Sequence, residues 1–396
     1  MTRRAWMLRA LGMVSGAGVA MGGDGPALAE DGPDDDAVLP GRTLRFPRDH
    51  GAHPGARIEW WYATGWLAEP GRATPAYGFQ LTFFRSRTDG GDGLRGRFVP
   101  RQLLFAHAAL TDLAAGRHRH AQRLQRWSGD ETEAARHARR ADTDVALGAW
   151  SLRREDIGAN ARPGGAAVSA GPAGRYLARL PAPDAGFELT LTMDSTQPLL
   201  LQGVAGYSRK GPEAVHASHY TTQPQLATQA RLRLADSSVR ALRGRAWLDH
   251  EWSNALLAPG AVGWDWIGIN LADGGALTAF VLRRADGSVL WAGGSHRPAG
   301  GAVRDFAPQD VAFTPGRTWT SPQTGARYSV AWQITTPIGR FSLQALLDAQ
   351  ELDGRGSTGT VYWEGLAELR RDGGDSGRAG LGYLEMTGRA GPLRLG

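Results

Sequence analysis

Residues 187–193 read FELTLTM, in which apolar and polar side chains alternate without interruption. A period of two places the apolar side chains on one face of a strand, so this stretch predicts a half-buried β-strand. Turn sequences such as Asp286-Gly287 separate strand-like segments at short intervals, as in antiparallel hairpins. The sequence therefore predicts an all-β chain of antiparallel strands, with the same alternation clearest in residues 78–83, 230–234, 328–334 and 341–346.

The composition supports this fold class and excludes several others. The chain has 396 residues, of which 42% are apolar and 21% charged, which is enough for a large core and too apolar for a disordered polypeptide. Its 55 glycines and 22 prolines follow no triplet period, which excludes collagen and favours turn-rich β-structure. Residues 130–140 form the one helical pattern of any length, with Asp130 placed to cap it, so we expect few and short helices.

The beginning of the chain has the pattern of an export segment. Arg3-Arg4 precede a weakly hydrophobic, glycine-rich stretch, and residues 27–29, Ala-Leu-Ala, match a cleavage site. Paired arginines in this position are typical of a twin-arginine signal, so residues 1–29 predict an export signal peptide and a periplasmic or secreted protein. Residues 30–40 are rich in Asp and Glu and predict an acidic linker outside the core.

The rest of the chain divides into two segments of similar length. A polar turn at residues 236–238 precedes a new strand, so we predict an N-terminal domain over residues 41–238 and a C-terminal domain over residues 239–396. Each segment suits one β-barrel. No segment after the signal is long and apolar enough for a bilayer, so the processed protein is not expected to be an integral membrane protein.

Absent motifs limit the chemistry. Without cysteine the chain has no disulfide framework, thiolate metal site or cysteine nucleophile. No Gly-x-Ser-x-Gly elbow, phosphate loop or complete dinucleotide fingerprint occurs, so we expect no cofactor. The histidine pairs His216/His219 and His118/His120 lack a clear third ligand, so we expect no metal. The net charge of +6 comes without a basic stripe, so nucleic acid is not an expected partner, and every basic residue except Lys210 is arginine.

The densest cluster of reactive side chains is Trp-Leu-Asp-His-Glu-Trp at residues 247–252. On a strand, Asp249 and Glu251 project to one face, and His250 and Trp252 to the other. Desolvation by indole rings lowers the pKa of a histidine and a nearby carboxylate raises it, a balance that suits proton transfer. The spacing also fits a structural role, in which Asp249 and His250 bind backbone groups.

Two further clusters combine aromatic and titratable residues. In residues 57–62, Arg-Ile-Glu-Trp-Trp-Tyr, an inward Glu59 would have a raised pKa and be a candidate general acid, whereas pairing with an arginine would make it structural. Residues 218–225 form a polar and aromatic stretch that suits a cavity wall, and His107 lies in an apolar run as a core or a ligand-facing histidine. The candidates for substrate binding are Trp60, Trp61, Tyr62, His107, His219, Tyr220, Trp252, Trp264, Asp265 and Trp266.

Together these clusters resemble the AttH-like and carotenoid 1,2-hydratase family, whose members are sometimes described as secreted hydrolases. The resembling elements follow one another along nearly the whole mature chain, at residues 59–62, 78–85, 218–224, 247–252, 362–365 and 382–388. The resemblance implies two lipocalin-like antiparallel β-barrels packed together, with the motif residues near a cavity at or beside their interface.

The hydratase branch adds water to an isolated double bond of an acyclic carotenoid without a cofactor. Its Asp-His-x-Trp element matches at Asp249, His250 and Trp252. The resemblance also implies a tyrosine and an aspartate on the following strand, and residues 276–282, where we place that strand, contain neither.

Two functions are therefore expected. The first is a cofactor-independent hydratase or hydrolase for a hydrophobic isoprenoid- or lipid-like substrate, with His250, Asp249 and Glu59 sharing proton transfer. The alternative is a non-catalytic lipid carrier or accessory protein of an ABC-type export system, and a polymer-binding module is a third reading. The enzyme requires Asp249, His250 and Glu59 to converge on one cavity. A lipid carrier should avoid such groups or pair them internally, since unpaired charges are costly to bury.

Overall fold

The computed structural model describes residues 36–88, 101–158, 174–235, 238–373, 377–391 and 393. Their regular structure consists of two large antiparallel sheets, one small sheet and three single-turn 3-10 helices, at Arg48–His50, Pro183–Ala185 and Pro308–Asp310. The predicted all-β class with few short helices is confirmed. The predicted signal peptide and most of the acidic linker lie outside the described residues, within which no helix has the length and apolar character to cross a bilayer.

The first sheet contains thirteen strands. They are β1 (Ile58–Ala68), β2 (Tyr77–Arg87), β3 (Gln102–Asp112), β4 (Arg117–Trp127), β5 (Arg136–Ala138), β6 (Asp144–Leu147), β7 (Trp150–Asp156), β8 (Gly174–Ala182), β9 (Phe187–Asp194), β10 (Leu200–Leu201), β11 (Tyr207–Arg209), β12 (Ala217–Leu234) and β13 (Val239–Ser253). The main order is β4-β3-β2-β1-β13-β12-β9-β8-β7-β6-β5. Its two end strands, β4 and β5, contact each other, so the sheet is nearly closed into a barrel.

The second sheet contains ten strands. They are β14 (Gly263–Leu271), β15 (Ala276–Arg283), β16 (Val289–Arg297), β17 (Arg304–Phe306), β18 (Ala312–Pro315), β21 (Ala331–Thr336), β22 (Gly339–Ala345), β23 (Glu351–Gly354), β24 (Thr360–Arg371) and β25 (Arg378–Met386), while β19 (Thr318–Thr320) and β20 (Arg327–Ser329) form the small sheet. The main order is β17-β16-β15-β14-β25-β24-β22-β21-β18. Its end strands β17 and β18 are joined by one short segment of chain, so this sheet is also nearly closed.

The sheets change at a different point from the predicted boundary. Residues 236–237 lie outside the described residues, but the strands on either side, β12 and β13, pair with each other in the first sheet. Residues 239–253 are therefore part of the first barrel. The chain passes to the second barrel between Ser253 and Gly263.

The helix predicted at residues 130–140 is wrong. Arg136–Ala138 form β5, which pairs with β6. The Asp130 side chain accepts hydrogen bonds from the backbone N–H and the hydroxyl of Thr132, as in a turn. Pairing across the sheet overrides the helix preference of the alanines and arginines, which is a weak local effect.

Alternation along the strands gives each barrel an inner face and a face toward its neighbour. The core of the first barrel includes Trp61 and Leu248, and that of the second includes Trp363 and Leu384. Intervening residues turn outward, and where β1 and β13 approach β25 and β14 they form a separate cluster that contains Tyr62, Trp247, Trp266, Leu366 and Tyr383. The barrels thus share an aromatic interface.

Candidate functional site

A cavity lies between the two barrels, where these outward faces meet. It has a volume of about 1120 Å³, including the part open to solvent. Its wall comes mainly from β1, β2, β12 and β13 of the first barrel and from β14, β15, β24 and β25 of the second. Trp60, Trp264, Trp266, Phe84 and Phe280 make the wall largely aromatic. The apolar lining suits a small hydrophobic molecule.

The two faces of β13 separate the residues of the Asp-His-x-Trp element. Asp249 and Glu251 line the cavity, as the strand periodicity predicts. His250 and Trp252 point into the first barrel, where the His250 ring stacks on Trp61 with ring centroids 4.8 Å apart. Neighbouring residues of one motif therefore belong to two different environments.

The same alternation divides all the predicted site residues. Seven line the cavity: Trp60, Tyr62, His107, Tyr220, Asp249, Trp264 and Trp266. Six do not, because they occupy the opposite faces of the same strands: Glu59, Trp61, His219, His250, Trp252 and Asp265. Asp249, His250 and Glu59, whose convergence was to separate the enzyme from the carrier, therefore do not share this cavity. Of these three, Asp249 alone is placed to act on a ligand there.

Asp249 is buried in the cavity wall with uncharged partners. Its Oδ2 accepts a hydrogen bond from the Tyr220 hydroxyl at 2.8 Å, and its Oδ1 accepts from Thr222 Oγ1 at 2.6 Å and Trp247 Nε1 at 2.8 Å. Burial raises the pKa of Asp249 to about 7, and the three hydrogen bonds oppose this shift only in part. The carboxyl group therefore exchanges its proton near neutral pH.

Two glutamates that the sequence analysis did not select share the cavity. Glu364 on β24 and Glu385 on β25 are cross-strand partners, so their Cβ atoms lie roughly 5 Å apart. Burial and then the Glu385 carboxyl raise the pKa of Glu364 well above its usual range. Burial raises the pKa of Glu385 to about 7. Because two adjacent buried carboxylates repel each other, the pair retains a proton at neutral pH.

A sequence signal existed for each glutamate separately, but not for the pair. Both glutamates lie within segments that carry the family resemblance, and each is a lone charge on the same face as apolar or tyrosine residues, with Tyr362 two residues before Glu364 and Tyr383 two before Glu385. Such a residue becomes a candidate acid only when the register of β24 and β25 brings it beside the other.

Two polar groups of the cavity wall contact each other. The Tyr62 hydroxyl and the Glu364 carboxyl are both buried, and the hydroxyl is the hydrogen-bonding neighbour of the carboxyl. This contact favours the ionised form of Glu364, but it is weaker than the burial that raises the pKa of Glu364.

Lys210 is the one Lys or Arg residue among the cavity-lining residues that the structure describes. Its Nζ lies 3.1 Å from Glu251 Oε1 and 5.3 Å from the centre of the Trp60 ring. Asp249 and the Glu364–Glu385 pair have no Lys or Arg partner in the described part of the chain. Lys210 thus offsets the charge of Glu251 and leaves three carboxyl groups without a basic counter-charge.

His107 holds a tyrosine of the cavity wall through a chain of hydrogen bonds. The Tyr362 hydroxyl donates to His107 Nδ1 at 2.6 Å, His107 Nε2 donates to Ser357 Oγ at 2.7 Å, and Ser357 donates to Gln122 Oε1 at 2.6 Å. Burial lowers the pKa of His107 to about 3, so its ring is neutral. The chain of bonds holds the Tyr362 ring in the cavity wall and directs its hydroxyl proton away from the cavity.

Glu59 and His250 belong to a buried ionic network inside the first barrel. Glu59 Oε2 accepts from Arg85 Nε at 2.8 Å, while Oε1 lies 2.8 Å from His53 Nδ1 and 2.9 Å from His250 Nε2. His53 Nε2 lies 3.0 Å from Asp49 Oδ1. Burial would raise the pKa of Glu59, but the Arg85 guanidinium and the two histidines hold it well below its usual range. Glu59 is therefore arginine-paired, as the structural interpretation of this residue expected.

The side chains of this network are of the types that bind metal ions. The ligand-type atoms of His53, Glu59 and His250 all lie within 4.8 Å of one another, and all three residues are buried. However, both imidazoles already bond to one carboxylate oxygen, and Arg85 supplies the positive charge. The Glu59 carboxylate is fully paired, so we assign the network a structural role; His250 Nδ1 is buried and has no hydrogen-bond partner among the described residues.

The remaining predicted residues outside the cavity also have structural partners. Asp265 is buried and forms ion pairs of 2.8 Å with both Arg283 and Arg389 inside the second barrel. The Trp252 ring stacks on His53 with centroids 3.6 Å apart, and His219 lies beside Trp252 at 5.3 Å. Burial lowers the pKa of His219 to about 4, so it is uncharged near neutral pH.

The protein is thus a pair of antiparallel β-barrels with an aromatic cavity between them. The chain is a member of the AttH-like family, whose model matches residues 37–389. A comparison with curated proteins finds no match.

Solved structures support this assignment. A protein of Nitrosomonas europaea, assigned as an AttH, is 43% identical, with a TM-score of 0.76 over 89% of this chain and 99% of its own. Kievitone hydratase from Nectria haematococca is 14% identical, with a TM-score of 0.63 over 87% of this chain and 93% of its own. At that identity, the second similarity concerns the fold.

Proposed function

We propose that this protein is an acid–base enzyme that adds water to a hydrophobic, isoprenoid- or lipid-like molecule bound between the barrels. The observation that carries the proposal is the set of three carboxyl groups, Asp249, Glu364 and Glu385, without basic partners in an aromatic cavity. A cavity that only stores a lipid gains nothing from such groups, because each is costly to bury. Titration near neutral pH is what a general acid or base requires.

The chemistry divides between the two sides of the cavity. The protonated Glu364–Glu385 pair donates its proton to one carbon of a double bond, and the neighbouring carbon becomes cationic. The indole faces of Trp264 and Trp266 stabilise that charge. A water molecule then forms the carbon–oxygen bond, and the carboxylate form of Asp249 accepts the proton that the water loses. Asp249 then releases this proton to solvent and the glutamate pair takes up a proton from solvent, which completes the cycle.

The site differs from the one expected from sequence. Asp249 keeps its proposed role, whereas the role given to Glu59 and His250 passes to Glu364 and Glu385. The similarity in fold to kievitone hydratase supports a hydration reaction in this architecture. The same acid and base also serve the hydrolysis of a bond, which gives two fragments instead of one heavier product.

We further propose that the protein acts after export by the twin-arginine route, in the periplasm or outside the cell. The arginine pair at residues 3–4 and the Ala-Leu-Ala at residues 27–29 support this location. A carrier that serves an ABC-type export system would share the location and the cavity, but not the need for unpaired acids.

Extraction of the native protein tests the proposal. Hydrophobic molecules that co-purify with the wild type and with the Glu364→Gln/Glu385→Gln variant would be identified by mass spectrometry. We expect the variant to retain a precursor, and the wild type to hold a molecule heavier by one water. The same lipid in both proteins would support a carrier and contradict the enzyme.

A further inference from the structure

We propose that the cavity binds amphiphilic organic cations, which consist of an apolar chain and an ammonium-type head group, as substrates or as mimics of a cationic intermediate. This inference rests on the proposed function, since it takes the same cavity to be the reaction site. It names the charge of the ligand that the cavity selects.

The first argument is the balance of charge in the wall. Four acidic side chains line the cavity against the single cation Lys210: Asp249, Glu251, Glu364 and Glu385. Lys210 offsets Glu251 at 3.1 Å, so three carboxyl groups remain to interact with a ligand. In a cavity of low polarity these groups attract a cation, which also favours their ionised form, and they repel an anion.

Lys210 itself shows how the cavity holds a positive charge. Its ammonium group lies over the Trp60 ring at 5.3 Å and beside the Glu251 carboxylate. A carboxylate and an indole face together form the arrangement that recognises ammonium groups. The chain has one lysine and 44 arginines, so the arginine-rich composition does not explain why a lysine occupies this position.

A second arrangement of carboxyl groups and indoles lies on β14, β24 and β25. Glu385 pairs in register with Trp266 and accepts a hydrogen bond from the Trp264 side chain, which brings two indoles beside the carboxyl pair. The partner Glu364 is 2% exposed and has no Lys or Arg partner among the described residues. A buried carboxyl pair beside two indoles matches an ammonium-type head group, and the apolar Leu282 and Phe280 nearby match its chain.

Equilibrium binding of three probes of equal chain length tests this inference. Octyltrimethylammonium, 1-octanol and octanoate would each be titrated into the full chain by calorimetry. We expect the cation to bind at least about tenfold more tightly than the alcohol, and octanoate to bind most weakly.

Variants locate the effect. The Glu364→Gln/Glu385→Gln variant should lose about tenfold in affinity for the cation and retain its affinity for 1-octanol. Glu368→Gln, on the same strand but outside the cavity and ion-paired with Arg370, should change neither. Lys210→Met frees the Trp60 face and the Glu251 carboxylate, so it should raise the affinity for the cation.

Two results would overturn the inference. One is octanoate binding as tightly as the cation. The other is an unchanged cation affinity in the folded double variant, with native circular dichroism as the check on folding. Because binding is measured without turnover, a hydratase that does not prefer cations and a cation-binding protein without hydratase activity give different outcomes.

Discussion

Replacement of Arg85 by methionine is expected to destabilise the first barrel strongly. Arg85 is 1% exposed, so its side chain has no access to water in the folded protein. Its guanidinium group donates to five acceptors: Glu59 Oε2 at 2.8 Å, Gln102 Oε1 at 2.7 Å, and the carbonyl oxygens of His53 at 2.6 Å, Ala56 at 3.0 Å and Pro54 at 3.4 Å. Methionine fills a similar volume but satisfies none of them.

The size of the loss follows from these contacts. Removal of one partner from a buried ion pair costs about 3–5 kcal/mol, because the remaining charge stays buried. Glu59 keeps its bonds to His53 and His250, which favours the lower end of that range. Gln102 Oε1 and the Ala56 carbonyl group lose a donor, whereas the His53 carbonyl group keeps the Ala56 N–H, so this loss adds about 1 kcal/mol. We therefore expect the free energy of unfolding to fall by about 4 kcal/mol.

Urea unfolding at neutral pH, followed by tryptophan fluorescence, measures this change. Arg370→Met is the matched control, because Arg370 is 52% exposed in its ion pair with Glu368, and such pairs contribute less than about 1 kcal/mol. If Arg85→Met also costs less than about 1 kcal/mol, the buried network does not stabilise the barrel and our structural assignment of Glu59 and His250 is wrong.

Three further predictions concern pH and ligand binding. The pKa of Glu59 is lowered in the folded state, so ionised Glu59 stabilises the fold above its unfolded pKa, and this stabilisation is lost as the pH falls. The free energy of unfolding, measured from neutral to acidic pH, should therefore decline less steeply in Glu59→Gln than in the wild type. The pKa of Glu385 is raised to about 7, so stability is lost as the pH rises through that value. In alkaline buffer the free energy of unfolding of Glu385→Gln should therefore exceed that of the wild type by on the order of 2 kcal/mol. Equal stability would count against a carboxyl pair in the cavity. Trp264→Gln should weaken the fluorescence-detected binding of N-phenyl-1-naphthylamine about tenfold, whereas Trp319→Gln, in the small sheet outside the cavity, should not; similar losses in both variants would place the dye elsewhere.

Local patterns were sufficient for the fold class. The alternation at residues 187–193 became β9, whose residues are buried at every second position. The Asp286-Gly287 turn joins β15 to β16, with Gly287 at a φ of 84°. Such features depend on a few neighbouring residues and on backbone geometry, so they can be predicted without the rest of the chain.

Features that depend on long-range pairing were not predictable in the same way. Residues 236–238 have the polar composition of a linker, and only the pairing of β12 with β13 shows that the first barrel continues after them. The structural reading of Glu59 needed Arg85, which lies opposite it on β2. A local pattern does not reveal which arginine, if any, reaches a given acid.

The candidate site was predicted in part for the same reason. The period of two correctly separated Asp249 from His250, but it did not say which of the two faces would border the cavity. Glu364 and Glu385 are 21 positions apart in sequence and become a pair only in the register of β24 with β25. A carboxyl pair assembled across strands has no spacing that identifies it in advance.

Our central claim is that the reaction takes place in the cavity between the barrels and not in the histidine network of the first barrel. The most direct test compares two variants, each substituted on one face of β13, for their conversion of the extracted precursor. We predict that Asp249→Asn abolishes addition of water, whereas His250→Gln, assayed at a temperature where it remains folded, retains it despite reduced stability. Loss of turnover in folded His250→Gln, with an active Asp249→Asn, would contradict the claim.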